Sequence, residues 1–512
     1  MNLSPQYIDF KTAKTLNPLV NSYVTEDEKI KSFYTNYPNT NGFNQAIKAV
    51  RSQTIDRNVL VNELLQQANL VLNTNQATLK NTSLLLNNNC FTVTTGHQLC
   101  LFTGPLYFIY KIFSTINLAE ELKKQFPEND FVPVYWMASE DHDFEEINNF
   151  NLFGKNIQWQ SSQTGAVGDF NTNELNLLLP QLKQILGESL NANYLYTLFE
   201  QAYTQTTTLK NATRFLVNQL FGSHGLVVLD GNTVNFKKQF VSQLKDDIFN
   251  NTAFSLVNKS IEQLQSLGYK TQVNPRPINC FFMEDGIRSR IEKQNDEYIV
   301  IGTDKKFTAQ QLEQLIETNP EKISQNVVLR PLYQQHILPN IAYVGGPGEI
   351  AYWLQYQTMF TKFNINYPVL VPRAFITVIE KSIKIKLQKL NFSEIDIFKD
   401  EQDLIKEFQI NENAIFDLND DKKSIDLIFD NIKTKINNID KTLSAAVNAE
   451  QQKTLTSLDV LTAKANKALK QKLDTEITQI KTIKQKLFPN AMPQERFENF
   501  ATFIMVLNFV PP

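Results

Sequence analysis

Four stretches of this chain bring together residue types that could do chemistry. The first runs Thr95-Gly96-His97-Gln98 and then Phe102-Thr103-Gly104-Pro105. A glycine-bearing turn that feeds a helix exposes backbone N–H groups, which attract phosphate or carboxylate. His97 can donate to a charge developing on a phosphate oxygen. Lys111, in the helix that follows, can supply a fixed cation if it faces the cleft. The plainer reading is a tight turn with a capping threonine and a solvated lysine. The segment matches neither the Walker loop nor the GxGxxG fingerprint.

The second stretch is Ser139-Glu140-Asp141-His142-Asp143, just past an apolar run. Crowded carboxylates raise one another's pKa, and their field raises that of a histidine among them. Such a cluster can bind an ammonium group, take a proton from an amine, or hold Mg²⁺ transiently at Glu140 and Asp141. The duller possibility is an acidic helix N-terminus. The third stretch is Val344-Gly345-Gly346-Pro347-Gly348-Glu349, whose glycines let a ligand approach the backbone. Tyr352 and Trp353 follow one turn on and either flank a base or sugar or join the core. Fourth, Arg330 and Arg373 end two apolar segments, where each meets an anion or forms a surface salt bridge. Asp230, His224 and His336 lie in less distinctive settings, and both histidines read as structural. Cys100, among leucines, reads as a buried thiol.

These residues need a scaffold, and the pattern is strand, loop, helix, strand. Residues 91–95 (FTVTT) and 131–138 (FVPVYWMA) predict strands around a helix over 105–122. Further strands are expected at 326–329, 341–344 and 369–371, with a helix over 348–363. This is α/β code for a parallel sheet, written in two blocks. Ligands of such sheets bind beyond the carboxyl ends of the strands. The loops 96–98, 140–143 and 345–349 are therefore expected to converge at one crevice.

The division along the chain reads 1–85 helical, 86–152 first half of the core, 153–323 a connecting α+β insertion, and 324–375 second half. A helical arm over 376–488 and a tail over 489–512 complete it. Within 1–85, residues 58–80 show helical spacing broken by polar stretches. The insertion holds 225–229 (GLVVL), a candidate strand of the main sheet. It also holds a hairpin, 280–283 and 287–291 around Asp285-Gly286, and a further strand at 298–301. In the arm, Ile425, Ile428, Ile432, Ile436 and Ile439 recur at threes and fours, and the pattern returns at Leu473, Ile477, Ile480 and Leu487. That is a coiled-coil seam, folded back near 447–452, or one face of a helical bundle. The apolar run 503–510 is expected to pack on the core.

A chain of 512 residues with 42% hydrophobic and 11% aromatic content has ample material for more than one core. Its net charge of −3, with both signs mixed, argues against a nucleic-acid binder. No apolar run reaches membrane-spanning length, and the N-terminus lacks an apolar signal segment. Three scattered cysteines, Cys90, Cys100 and Cys280, with no CxxC pair, fit reduced thiols and no thiolate zinc site.

In chain order, TGHQLCLFTGPLYFIYKI, PVYWMASEDHDFEEIN, VLRPLYQQHILPNIAYVGGPGEIAYWLQ and YPVLVPR together resemble the BshC family of bacillithiol-biosynthesis cysteine-adding enzymes. The segment PQERFENF resembles that family's ending. The resemblance implies a Rossmann-like core related to class I aminoacyl-tRNA synthetases and nucleotidyltransferases, and a coiled coil that forms a homodimer. It implies a cytoplasmic ligase that joins the carboxyl of cysteine to the amine of glucosaminyl-malate, the last step of bacillithiol formation. Gly96, His97 and Gln98 fall where such cores place a nucleotide-binding signature, although the family often has Gln where His97 stands.

A free carboxylate does not acylate an amine unless activated, so ATP and Mg²⁺ are expected, through an acyl-adenylate or acyl-phosphate. In that scheme Gly96, His97, Gln98 and Lys111 stabilise charge. Glu140, Asp141, His142 and Asp143 contact the amine and metal. The 345–349 loop binds nucleotide or sugar, and Arg330 or Arg373 grips the malate carboxylates. The alternatives are a nucleotidyltransferase acting on another small substrate and a non-enzymatic coiled-coil scaffold that senses a metabolite.

Overall fold

Short runs of β-branched and aromatic residues between turn formers become strands, because such side chains fit a pleated, buried surface. The computed structural model describes residues 4–412 and 415–506. Among them lie β1 (Cys90–His97), β2 (Asp130–Met137), β3 (Asn149–Leu152), β4 (Lys155–Gln158), β5 (Val227–Asp230), β6 (Cys280–Glu284), β7 (Ile287–Gln294), β8 (Glu297–Val300), β9 (Lys306–Thr308), β10 (Ile323–Gln325), β11 (Asn340–Gly345) and β12 (Val369–Pro372).

Five of these form one parallel sheet in the order β12-β11-β1-β2-β5. Alternate residues of β1 and β2 feed different cores. Phe91, Val93 and Phe131 pack with Phe43, Ile47 and Leu122 on one face. Val132, Val134 and Trp136 join the larger core on the other. A sheet covered on both faces requires such near-continuous apolar strands. The crossover from β1 to β2 is the helix Tyr107–Gln125.

A buried polar network fixes the register of the two central strands. Asn340 Oδ1 accepts from Thr92 Oγ1 at 3.1 Å and Thr94 Oγ1 at 2.8 Å, while its Nδ2 donates to Gln335 Oε1 at 2.5 Å. All four residues are buried, so an unmade bond here would leave a desolvated polar group.

The 225–229 run supplies β5 of the main sheet. The rest of the insertion builds a separate antiparallel sheet, β10-β6-β7-β8-β9, with Asp285-Gly286 at the turn between β6 and β7. Gly286 has φ +69°, a conformation open to glycine.

The structure corrects several expectations. Residues 326–329 are not a strand. Asn326 Oδ1 accepts from the N–H groups of Val328 and Leu329 and so starts the helix Leu329–Ile337. Pro331 fits in the first turn of that helix, where its missing N–H is harmless. The 348–363 helix is two, Pro347–Trp353 and Gln357–Lys362, parted where Gln355 bonds the backbone of Gln272 and Val273. The 58–80 run is broken as its polar stretches predict, into Arg57–Ala68 and Gln76–Leu84, with Asn75 capping the second.

Residues Thr377–Gln494 form a second compact unit. In it Asn419–Asn437 pairs with Ser444–Lys472, joined by Lys422–Asp459 and Gln451–Asp426 contacts. The fold-back lies at 438–443, earlier than the expected 447–452, because Asp440 takes the Thr442 N–H and hydroxyl. Ile477, Ile480 and Leu487 do not extend that seam. They pack with Ile383, Leu387, Leu404 and Phe408 in a core of their own. In the tail, Phe500, Ala501 and Phe503 are buried, and residues 507–510 of the expected apolar run lie outside the described residues.

Replacing Asn340 with alanine strands the Thr92, Thr94 and Gln335 polar groups. Urea denaturation of Asn340→Ala is expected to show a loss of about 2–4 kcal/mol.

Candidate active site

The chain passes from β1 outward to β2 and β5, then returns to the other side of β1 for β11 and β12. The order therefore reverses between β1 and β11, the position beyond whose carboxyl ends open α/β sheets bind their ligands. The three glycine- and acid-bearing loops follow β11, β1 and β2, three adjacent strands, and so share that edge.

Lys111 ties the first loop to the third. Its buried ammonium donates to the Gly96 carbonyl and to Glu349 Oε2 at 2.7 Å. Glu349 also accepts from Tyr343 Oη at 2.6 Å and from the Gly346 N–H at 2.9 Å. Burial would push the Glu349 carboxyl up, but the ammonium and these donors outweigh it and hold it below the usual carboxylate range. Burial pulls Lys111 below its usual value, with Glu349 opposing. Thr95 Oγ1 adds a bond to the Val344 carbonyl at 2.8 Å. A Cβ on Gly345 would lie 3.1 Å from the Glu349 Cβ and from the Tyr343 ring, so a larger residue there would press on both.

Several expectations about these loops change. Lys111 is a buried tie, with no free charge for a phosphate. The end of the helix at Gly346 is filled by Glu349, so it repels phosphate. Gly348 stands in ordinary contact distance of Gln272, 3.8 Å from a notional Cβ. Thr103 and Gly104 sit in a buried turn. The Phe102 N–H bonds Tyr203, the Gly104 N–H bonds the Leu101 carbonyl, and Asn499 bonds the Phe102 and Gly104 carbonyls, leaving no phosphate cradle. A Cβ on Gly104 would fall 2.5 Å from Cys100 Cβ. His97 stacks on Phe108 at 5.0 Å, and burial with the Lys111 and Arg373 charges holds it well below the usual imidazole value. It is therefore a neutral, packed ring. Cys100 is buried, and burial pushes its thiol up to about 12, far from a nucleophile's range.

The second loop is a turn and not a helix start. Gln98 Nε2 reaches across to Asp141 Oδ2 at 2.9 Å and Glu146 Oε2 at 2.8 Å. Burial would raise the Asp141 carboxyl, but bonds from His142 and Gln98 and the Arg288 charge pull it far below its usual value. For Asp141 this reverses the expected elevation, because its oxygens have partners of their own. Glu140 pairs with the fully buried Lys237, and Ser139 Oγ donates to Asp230 Oδ1 at 2.5 Å. With Glu140 and Asp141 so occupied, they do not form a magnesium site on their own. Asp143 is exposed.

The two arginines part company. Arg373 is buried and bidentate to Glu495, at 2.5 and 3.0 Å, so its charge is matched. Arg330 bonds Gln334 Oε1 at 3.0 Å and makes no carboxylate ion pair among the described residues. It lies beside Gly96, where a Cβ would stand 3.6 Å from Nη1, and Tyr352 adjoins it. Burial would lower its guanidinium, but the neighbouring tyrosines and the Glu349 charge, which it also feels, hold it above its usual value. Trp353 is core, fully buried against Tyr343, while Tyr352 stays partly open. His336 is structural, bonding the Gln239 carbonyl at 2.8 Å.

Lys237, Arg288 and Glu495 escaped the sequence reading. The first two lie in the insertion, outside any motif. Glu495 belongs to PQERFENF, whose charged residues were a signal that could have been pursued.

A parallel α/β sheet with polar loops at a strand-order reversal, followed by a helical arm, defines a Rossmann-like protein with a coiled-coil appendage. The family model "Bacillithiol biosynthesis BshC, N-terminal Rossmann-like domain" matches residues 3–374, and "Bacillithiol biosynthesis BshC, C-terminal coiled-coil domain" matches 376–509. The chain belongs to the BshC family of bacillithiol biosynthesis. Relatives named "Putative cysteine ligase BshC" include one from Flavobacterium johnsoniae, 40% identical, covering 97% of this chain and 94% of that protein. The Cytophaga hutchinsonii protein is 38% identical over 98% and 94%, and that of Bacillus cytotoxicus 28% over 96% and 93%. A Plasmodium falciparum tryptophanyl-tRNA synthetase matches 89% of this chain and 99% of its own at 13% identity with a TM-score of 0.23, too low to bear on the fold.

Lys111→Met should destabilise by about 3–5 kcal/mol, because it leaves Glu349 facing an uncharged neighbour. The double variant with Glu349→Gln should lose less than the sum of the singles in a urea-unfolding cycle. For Asp141 the folded pKa is depressed below 3.8, so its stabilisation is complete above that value and fades as pH falls through the folded one. The stability gap between wild type and Asp141→Asn should stay constant from about pH 5 to 8 and shrink in stronger acid.

Proposed function

We propose that the chain is a cytoplasmic ligase joining the carboxyl of L-cysteine to the amine of glucosaminyl-malate, the last step of bacillithiol formation. Membership of the BshC family and the cysteine-ligase names of its relatives support this reading. The observation that carries it is the charge arrangement at the crevice. Arg330, without a carboxylate partner, stands ready for an anion, while Asp141 remains ionised at the next loop. The acceptor has both complements: malate carboxylates for Arg330 and an ammonium for Asp141.

Each of this chain's residues then has a defined task. Gln98 holds the Asp141 carboxylate in place, and Lys111 with Glu349 holds the Gly96 turn against the 345–349 loop. Fixing both loops beforehand lowers the entropy cost of aligning carboxyl and amine. ATP with magnesium, when bound, would supply the activation that a free carboxylate lacks. Arg330, beside Gly96, is where its phosphates or the malate group would rest. The homodimer belongs to the same proposal. Leu427, Ile428, Ile432 and Ile439 are exposed on the arm, an apolar surface that a second copy would cover.

Purified protein with ATP, cysteine and glucosaminyl-malate should yield the thiol product and consume nucleotide. Equal yield without nucleotide would overturn the activation scheme. Exchange of pyrophosphate label with some other substrate would favour a nucleotidyltransferase. Unchanged cellular thiol in Asp141→Asn would favour the sensing scaffold. Arg330→Gln is expected to raise the acceptor KM by roughly 10- to 100-fold, because a charge-assisted bidentate contact is lost.

A further inference from the structure

His142 is flanked by an arginine that no sequence motif announces. Arg288 lies on β7 of the inserted sheet, with its side chain largely buried over the Phe281 ring at 4.1 Å. Its Nε donates to Ser324 Oγ at 3.1 Å, and its Nη1 stands 2.6 Å from His142 Nδ1. Asp141 Oδ1 is farther from that ring nitrogen, at 3.6 Å. A guanidinium has donors only and does not lose its proton in proteins. Two protons cannot share a 2.6 Å contact, so His142 Nδ1 must offer its lone pair. A neutral imidazole carries one proton, which then sits on Nε2.

We propose that Arg288 is a positioning residue that locks His142 as the Nε2–H tautomer, making it a hydrogen-bond donor at the site and not a base. This differs from the usual carboxylate–histidine arrangement, in which the acid takes the Nδ1 proton and frees Nε2 to accept one. Here the neighbouring Asp141 is turned to Gln98 and to the backbone N–H of His142 instead. Phe281 covers the His142 ring at 5.4 Å, and Glu140 is engaged by Lys237. In the ligase reading, on which this functional consequence rests, His142 Nε2–H would donate to an oxygen of the reacting carboxyl group. The amine's proton must leave by another route.

The tautomer itself is measurable without any substrate. Protein labelled with ¹⁵N-histidine, at a pH where the rings are neutral, should give a two-bond ¹H–¹⁵N spectrum in which His142 shows a bare Nδ1 and a protonated Nε2. Absence of the signals in His142→Gln assigns them. Arg288→Lys, which keeps a cationic donor, should preserve the pattern. Arg288→Met should convert it to a mixture or to Nδ1–H directed at Asp141. Should Arg288→Met fail to fold, the wild-type spectrum still decides. A protonated Nδ1 with a bare Nε2 in the wild type would overturn the proposal.

Kinetics give a second readout. A donor role predicts that His142→Gln, whose amide can donate, retains activity within about tenfold, whereas His142→Phe loses about 100-fold or more. Equal, complete loss in both would contradict the donor role. An inactive wild type with the Nε2–H pattern would instead sink the ligase reading and leave the tautomer assignment standing.

Discussion

The buried Lys111 ammonium is the constraint around which the crevice is organised. Removing such a charge from water costs several kcal/mol unless its donors find acceptors. The Gly96 carbonyl at the end of β1 and the Glu349 carboxylate after β11 meet that need together. Two loops distant in sequence are thereby drawn to one point, at the place where strand order reverses. Glu349 in turn gathers Tyr343 and the Gly346 N–H, so the glycine loop is ordered by the same charge. Ordering of this kind precedes any ligand, which is what catalysis by alignment requires.

Around this tie, most charges at the sheet edge are matched by residues distant in sequence. Lys237 neutralises Glu140, Glu495 neutralises Arg373, and Gln98 orients Asp141. Matching removes the repulsion that four adjacent ionisable groups would otherwise suffer, and it explains why Asp141 is held ionised. Arg330 is different: it bonds the neutral Gln334 and Tyr352 and forms no carboxylate ion pair among the described residues. The insertion is therefore part of the site's electrostatics. Through Lys237 and Arg288 it sets the orientation of the second loop.

Much of the scaffold was legible because periodicity and turn chemistry are local. β1, β2, β11 and β12 followed from short apolar runs ending in glycine, acid or proline, and the hairpin followed from Asp285-Gly286. Errors arose where a polar side chain overrode apolar content. Asn326 turned 326–329 into a helix start, and Asp440 placed the fold-back of the arm. Trp353 and Arg373 illustrate the same difficulty at the site. Residue type permits a binding role, yet burial against Tyr343 and pairing with Glu495 assign them to the interior.

The sequence by itself determined which loops gather residue types able to do chemistry, since glycine spacing, clustered acids and strand-ending arginines are properties of neighbours along the chain. Which of those groups stay free was decided only by the tertiary structure. The partners that neutralise Lys111, Glu140 and Arg373 lie far away in sequence, and a charge's fate depends on what stands within a few ångströms of it. Coulomb and desolvation terms act through space, so the distinction between a site residue and a structural ion pair is made by the fold.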